Sequence, residues 1–155
     1  PMSERVRGAL FNMLGDLAGK TVFEPFAGSG ALSFEALSRG AAHALLCERD
    51  KRAQATIARN IAALGLTENA KLVKANCRMW SETNPEAQFD LLLVDPPYHD
   101  MQLSTVSLLI RHLKPNGLMV LSYQGRGSAP TVNGVVVVDN RLYGDAALAF
   151  YRKAA

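Results

Sequence analysis

Phe89-Asp90-Leu91-Leu92-Leu93-Val94 is an apolar run with a single polar interruption, halted at Asp95 by two prolines, Pro96 and Pro97. A run this short, with almost no alternation, reads as a strand covered on both faces. Such strands belong to parallel sheets, and parallel neighbours must be joined by crossovers that lay helices over the sheet. The rest of the chain has that rhythm. Glu4 to Leu14 is expected to be a helix capped by Ser3, with Val6, Leu10, Met13 and Leu14 on its buried face. Lys20-Thr21-Val22-Phe23 opens a strand, and Ala31 to Arg39 reads as a helix ending at Gly40. Ala44 to Cys47 is a second strand, followed by a helix that Asp50 opens and whose face carries Ile57, Ile61 and Leu64. Leu72-Val73 gives a third strand running out near Asn76. After Phe89–Val94 comes a helix carrying Leu103, Val106, Ile110 and Leu113, then the turn Lys114-Pro115-Asn116-Gly117 and a strand from Leu118 to Leu121.

The tail breaks the rhythm. Val135 to Val138 and Ala147 to Tyr151 are strands with no long helix between them, so they are expected to form an antiparallel hairpin at the end of the sheet. A mostly parallel, seven-stranded α/β sheet finished by such a hairpin is the architecture of Rossmann-like class I methyltransferases. With 155 residues, one domain over 1–155 is expected. The 48% hydrophobic content fits a globular chain, and no apolar run is long enough to cross a bilayer. Cys47 and Cys77 form neither a CxxC nor a Cys/His cluster, which argues against a metal and fits a reducing cytoplasm. A disulfide between them stays open. The net charge of +3 is a mild excess, compatible with approach to phosphate but far short of a basic patch.

In open α/β sheets, ligands bind beyond the carboxyl ends of the strands. Phe26-Ala27-Gly28-Ser29-Gly30, Glu48, Asn76 and Asp95 all fall at such ends. Gly28-Ser29-Gly30 permits a tight turn and close approach of backbone to ligand. Ser33 stands where the third glycine of a dinucleotide fingerprint would be, so a nucleoside cofactor without a pyrophosphate fits better. Glu48, twenty positions beyond Gly28, is placed to accept from ribose hydroxyls, and Asp50 is read as a helix cap. Asn76 and the backbone of Cys77 either bracket an adenine edge or merely make a turn.

Asp95-Pro96-Pro97-Tyr98 carries the chemistry. A nucleobase amine is a poor nucleophile because its lone pair is delocalised into the ring. A carboxylate and a backbone carbonyl that accept its two N–H groups favour pyramidal nitrogen and free that pair. Prolines lack an N–H and fix φ, so they hold a carbonyl outward on a stiff loop. Tyr98 can stack on the base. Attack on a methyl carried by a sulfonium then needs alignment more than a strong base. The pattern points to amino methylation with S-adenosylmethionine, leaving adenine, cytosine, guanine or a protein amide as the acceptor.

Four segments resemble one family, the bacterial 16S ribosomal RNA guanine-N2 methyltransferases of the RsmD type. They are Pro1-Met2-Ser3-Glu4-Arg5-Val6-Arg7 with Leu10-Phe11-Asn12; Phe26 to Leu32 with Glu35 to Ala41; Asp95-Pro96-Pro97-Tyr98; and Arg141-Leu142-Tyr143-Gly144 followed by Tyr151. The resemblance implies a guanine in 16S ribosomal RNA, met in the small subunit or an assembly intermediate, as substrate. It implies that Asp95 and the Pro96 carbonyl hold the N2 amine while Tyr98 stacks on the guanine. Arg5 and Arg7 would face the RNA or shape the active-site mouth, and Tyr143 would join the substrate side, although the arginines also suit an ordinary exposed helix face. The cofactor set it implies adds Glu24 to the glycine loop, in a cytoplasmic monomer with neither membrane nor metal.

This chain also departs from the family. Gly8 stands where an acid is common, and Glu24-Pro25 replaces the more frequent Asp-Leu, retaining an acid. The N-terminal β-hairpin that family members carry before the Pro1 segment is missing, so the chain is expected to be trimmed or divergent. Methylation of DNA at adenine N6 or cytosine N4 is the main alternative, weakened by the lack of a target-recognition domain. Protein glutamine methylation is weakened by Asp95 where those enzymes have Asn. A degenerate cofactor-binding module is weakened by the intact glycines and Asp95.

Overall fold

The computed structural model describes residues 2–97, 103–125 and 128–155. Its elements run α1 (Glu4–Leu14), β1 (Thr21–Glu24), α2 (Ala31–Ser38), β2 (His43–Cys47), α3 (Lys51–Ala63), β3 (Ala70–Val73), α4 (Cys77–Thr83), β4 (Phe89–Val94), α5 (Leu103–Leu109), β5 (Leu113–Gln124), β6 (Val135–Tyr143) and β7 (Ala146–Lys153). One seven-stranded sheet has the order β3-β2-β1-β4-β5-β7-β6. The first five strands in that order pair in parallel, and β7 pairs antiparallel with both β5 and β6. This is the mostly parallel sheet with an antiparallel C-terminal pair that the apolar runs and the helix-free tail imply.

Alternation along the strands feeds two cores. Val22, Leu91, Leu93 and Val120 face α1, α2 and α3, packing on Val6, Leu10, Leu32 and Ile57. Phe23, Leu92, Val94, Met119 and Leu121 face the other way, onto Val106 and Leu109 of α5. Each fully buried Leu or Phe on these faces contributes about 1.5–3 kcal/mol. The α1 helix forms as its sequence predicts: the Ser3 hydroxyl accepts from the Val6 N–H at 3.2 Å, and Val6 and Leu10 are buried.

Three local expectations need correction. Leu64 does not extend the buried face of α3; it caps the helix and is 59% exposed, because the chain turns at Gly65 with φ 67°. Leu113 leaves the helical face as well. A 3₁₀ turn over Ile110–His112 ends that segment, and Leu113 begins β5 opposite Phe89. The Lys114-Pro115-Asn116-Gly117 turn is then looped out within β5, whose pairing with β4 resumes at Leu118 opposite Leu91. Finally, the stretch after Asn76 is helix α4, where the sequence had suggested no element. Its Trp80 ring lies 4.8 Å from those of Phe23 and His112.

His112 is fully buried and held at both ring nitrogens, 2.6 Å from Ser81 Oγ and 2.7 Å from the Ala87 carbonyl. The carbonyl can only accept, so Nδ1 carries the proton and Nε2 accepts from Ser81. Burial pushes the His112 pKa down, and the ring is neutral. This bond network locks α4 to the turn before β5. Cys47 and Cys77 are both free thiols. Among the described residues, no helix is long and apolar enough to cross a membrane.

Candidate active site

Four of the parallel strands, β1 to β4, bring their carboxyl ends to one cleft of about 660 Å³. The order reverses between β1 and β4, where neighbouring crossovers leave in opposite directions and open a crevice. Into it project Glu24, Phe26, Ala27, Gly28 and Ser29 after β1, Glu48 after β2, Asn76 and Cys77 at the start of α4, and Asp95, Pro96 and Pro97 after β4. Arg7 reaches the cleft from α1. Gly30, Arg5 and Tyr143 do not line it. Tyr98 lies outside the described residues.

The glycine loop is shaped before any ligand arrives. The Gly30 N–H donates to the Ala27 carbonyl at 2.7 Å, closing the turn, and Gly28 and Gly30 sit at φ 57° and 82°. A Cβ at Gly30 would lie 2.7 Å from a ring carbon of Phe34, so the position favours glycine for space as well as for backbone angle. Glu48 ties this loop to the next one. One of its oxygens accepts from the Gly28 N–H and the other from the Asp50 N–H, both at 2.8 Å. Each carboxylate oxygen keeps a further lone pair for a ligand hydroxyl. Asp50 caps α3 through the Ala53 N–H at 2.9 Å.

Asn76 is the N-cap of α4; its side-chain oxygen accepts from the Arg78 N–H at 2.8 Å. That leaves the amide nitrogen, with one lone pair of the oxygen, for a ligand. The Cys47 thiol donates to the Ala75 carbonyl at 3.1 Å, and burial pushes its pKa up to about 12; burial raises the Cys77 thiol too. Both are neutral wall residues, not nucleophiles.

Two carboxyls sit deep in the cleft. Glu24 is buried at the end of β1, and burial pushes its pKa up to about 8, with Asp95 and Glu48 adding repulsion. Asp95 follows β4 and is also raised by burial. The Ser122 hydroxyl and the Met2 backbone N–H donate to it and oppose that rise.

The sequence reading missed three cleft residues of consequence. Arg49 and Arg78 add positive charge to the mouth, and Arg78 reaches the Thr105 hydroxyl of α5 at 3.4 Å. Met2 covers Asp95 from before α1. Arg49, flanked by Glu48 and Asp50, was legible from position alone. Arg78 was hidden by the unpredicted α4. Tyr143, at the tip of the β6–β7 hairpin, packs on the α1 face, its hydroxyl 4.0 Å from Met13 Sδ.

Residues 1–152 match the family model described as Conserved hypothetical protein 95. The chain belongs to this family. The Escherichia coli Ribosomal RNA small subunit methyltransferase D is 34% identical over 136 residues, covering 85% of this chain and 68% of that protein. Among solved structures, the Escherichia coli "Putative methyltransferase yhhF" superimposes with a TM-score of 0.89 at 31% identity, covering 100% of this chain and 87% of the other. An RNA methyltransferase from Salinibacter ruber, solved with S-adenosyl-L-homocysteine, shares the fold at a TM-score of 0.74, with 12% identity and coverage of 99% and 94%. The family's members include enzymes named for methylating small-subunit ribosomal RNA, and the fold is that of S-adenosylmethionine-dependent methyltransferases.

Proposed function

We propose that the protein methylates the exocyclic N2 amine of a guanine in 16S ribosomal RNA, with S-adenosylmethionine as methyl donor. The observation that carries this reading is the shared cleft of Asp95 and the Phe26–Ser29 loop, which puts an amine acceptor beside a nucleoside cradle. The cleft suits that cofactor. Its glycine turn is already closed, Glu48 faces it with spare acceptor capacity, and no pyrophosphate-binding third glycine is present. On this reading Glu48 takes the ribose hydroxyls, and Asn76 and Cys77 lie along the adenine. Phe26 to Gly30 cradle the methionine portion above Glu24. S-adenosylmethionine, when bound, supplies a methyl group activated by its sulfonium.

The chain's own residues then do the orienting. Asp95 accepts one N–H of the guanine amine and the Pro96 carbonyl accepts the other, which turns the nitrogen lone pair toward the methyl. The ionised form of Asp95 is required, since only it accepts without competing as a donor. Loss of the surplus proton from nitrogen after transfer completes the step, with Asp95 or solvent as acceptor. Tyr98 stacks on the base. Arg5, Arg7 and Tyr143 contact the RNA around the mouth, beside Arg49 and Arg78. All of this is assigned to one domain over 1–155, acting as a cytoplasmic monomer on the small subunit or an assembly intermediate. The choice of guanine N2 is supported by the opening and closing segments shared with the RsmD type.

The test is to incubate the protein with labelled S-adenosylmethionine and small ribosomal subunits from cells lacking the modification, then digest the RNA and identify the labelled nucleoside. N2-methylguanosine is expected. N6-methyladenosine, label in protein, or no transfer at all overturns the reading.

A further inference from the structure

Strand register puts Ser122 beside Asp95. Val94 pairs with Leu121 across the parallel β4–β5 ladder, so the next residues on each strand, Asp95 and Ser122, are neighbours on one face of the sheet. Leu91, Leu93 and Val120 show which face, because all three lie in the core under α1 and α2. Ser122 is 2% exposed, and its other surroundings are apolar: Met2, Leu10, Leu93 and Val120. A hydroxyl placed there costs free energy unless it is hydrogen-bonded, and it donates to the Asp95 carboxylate. The Met2 backbone N–H is the second donor, delivered from the segment before α1.

We propose that Ser122 is a positioning residue for methyl transfer, fixing the rotamer of the Asp95 carboxylate from beneath and holding it in the ionised form that accepts the substrate amine. The proposal rests on the reading of Asp95 as that acceptor. With Ser122 below and Met2 at the side, the remaining lone pairs of Asp95 are turned to the cleft. Among the described residues, the charged groups sharing the cleft with Asp95 are Glu24 on β1, Glu48 and Arg49 after β2, Arg78 on α4 and Arg7 on α1; β5 contributes no charge there. Burial works against ionisation of Asp95. Ser122 therefore acts where it is needed. Losing a donor to a carboxylate raises that group's pKa.

The test compares wild type, Ser122→Ala, Ser122→Thr and Asp95→Asn. Single-turnover methyl transfer to small subunits is followed across pH, and Asp95 is titrated by carboxyl ¹³C NMR, assigned through the signal lost in Asp95→Asn. Ser122→Ala puts a methyl among apolar neighbours, so its melting temperature and cofactor affinity are expected to stay near wild type. Its rate is expected to fall about tenfold or more, with the acid limb and the Asp95 titration both displaced to higher pH. Ser122→Thr, which keeps the hydroxyl, is expected to restore all three. A lower rate with an unmoved Asp95 titration would show a packing role only and overturn the proposal, as would a displaced titration with an unchanged rate. Full activity in Asp95→Asn would sink the reading of Asp95 itself, whatever Ser122 does to the titration.

Discussion

Glu24 at the end of β1 accepts from the backbone N–H of Ser33 at 3.0 Å and from its hydroxyl at 2.6 Å, both at one carboxyl oxygen. Ser33 lies in the first turn of α2, whose N-cap is Gly30 and has no side chain to offer. Glu24 thus caps α2 from the neighbouring strand, and the glycine loop is strung between the two.

That bond has a pH signature. Burial raises the Glu24 pKa from 4.5 to about 8, so the folded chain keeps a proton that the unfolded chain releases. Between those values the unfolded state binds fewer protons, and stability must fall as pH rises. It is highest below about 4.5 and declines to about 8. Glu24→Gln keeps the acceptor oxygen and removes the titration. Its Tm is expected to exceed wild type by roughly 3–6 °C at pH 8 and to converge with it near pH 4.5. Thermal melts by circular dichroism across pH check this.

A cationic cofactor brought over Glu24 favours the carboxylate. Binding of S-adenosylmethionine is therefore expected to release protons at pH 7 to 7.5, below the raised pKa of about 8. Calorimetry in buffers of differing ionisation enthalpy measures the release directly, and Glu24→Gln should abolish it.

Asp95→Ala is expected to lower methyl transfer by about 10²-fold or more while cofactor affinity changes only a few-fold. Stopped assays with labelled cofactor give the first quantity and calorimetry the second. Equal losses in both would place Asp95 in the cofactor site instead.

The two loop glycines should separate stability from binding. A methyl at Gly30 meets Phe34 and Leu46 at 2.7 and 3.0 Å with φ at 82°, so Gly30→Ala should lower Tm by roughly 3–8 °C. A methyl at Gly28 meets no atom within 4 Å. Gly28→Ala is expected to cost less stability and to act chiefly on cofactor affinity, because Gly28 lines the cleft. Melting curves and binding isotherms for both variants test the split.

His112 gives the opposite slope on the acid side. Burial lowers its folded pKa below 6.5, so the unfolded chain gains a proton first, and stability is lost as pH falls through 6.5. Ser81→Ala removes the hydroxyl that donates to Nε2 and should cost about 1–3 kcal/mol at neutral pH, read from denaturant melts.

The sheet was legible because its signal is strong: Phe89–Val94 and Ala44–Cys47 have no other stable reading. The strand-end residues followed from it, since topology alone carries Glu48, Asn76 and Asp95 to one cleft. The helix α4 is not legible because seven residues give too little periodicity, and its cap, Asn76, reads as a ligand or a turn. Leu113 reads as helical because Val106, Ile110 and Leu113 fit helical spacing, while the 3₁₀ turn and the start of β5 depend on pairing with Phe89. Ser122 was visible as the single polar residue within Leu118–Tyr123, but its partner was not, because register across β4 and β5 is a property of the whole sheet.

The strand order imposes a sequence of assembly on this chain. Strand β7 follows β6 along the chain yet lies between β5 and β6 in the sheet. Until Ala146 to Lys153 have been synthesised, β6 has no neighbour to dock on, and β5 presents a bare rim. A nascent chain emerging in order would build the cofactor half first and wait for its final wedge to seal the strand that carries Ser122. Cutting before Ala146 should therefore leave a sticky, aggregation-prone edge rather than a smaller working enzyme.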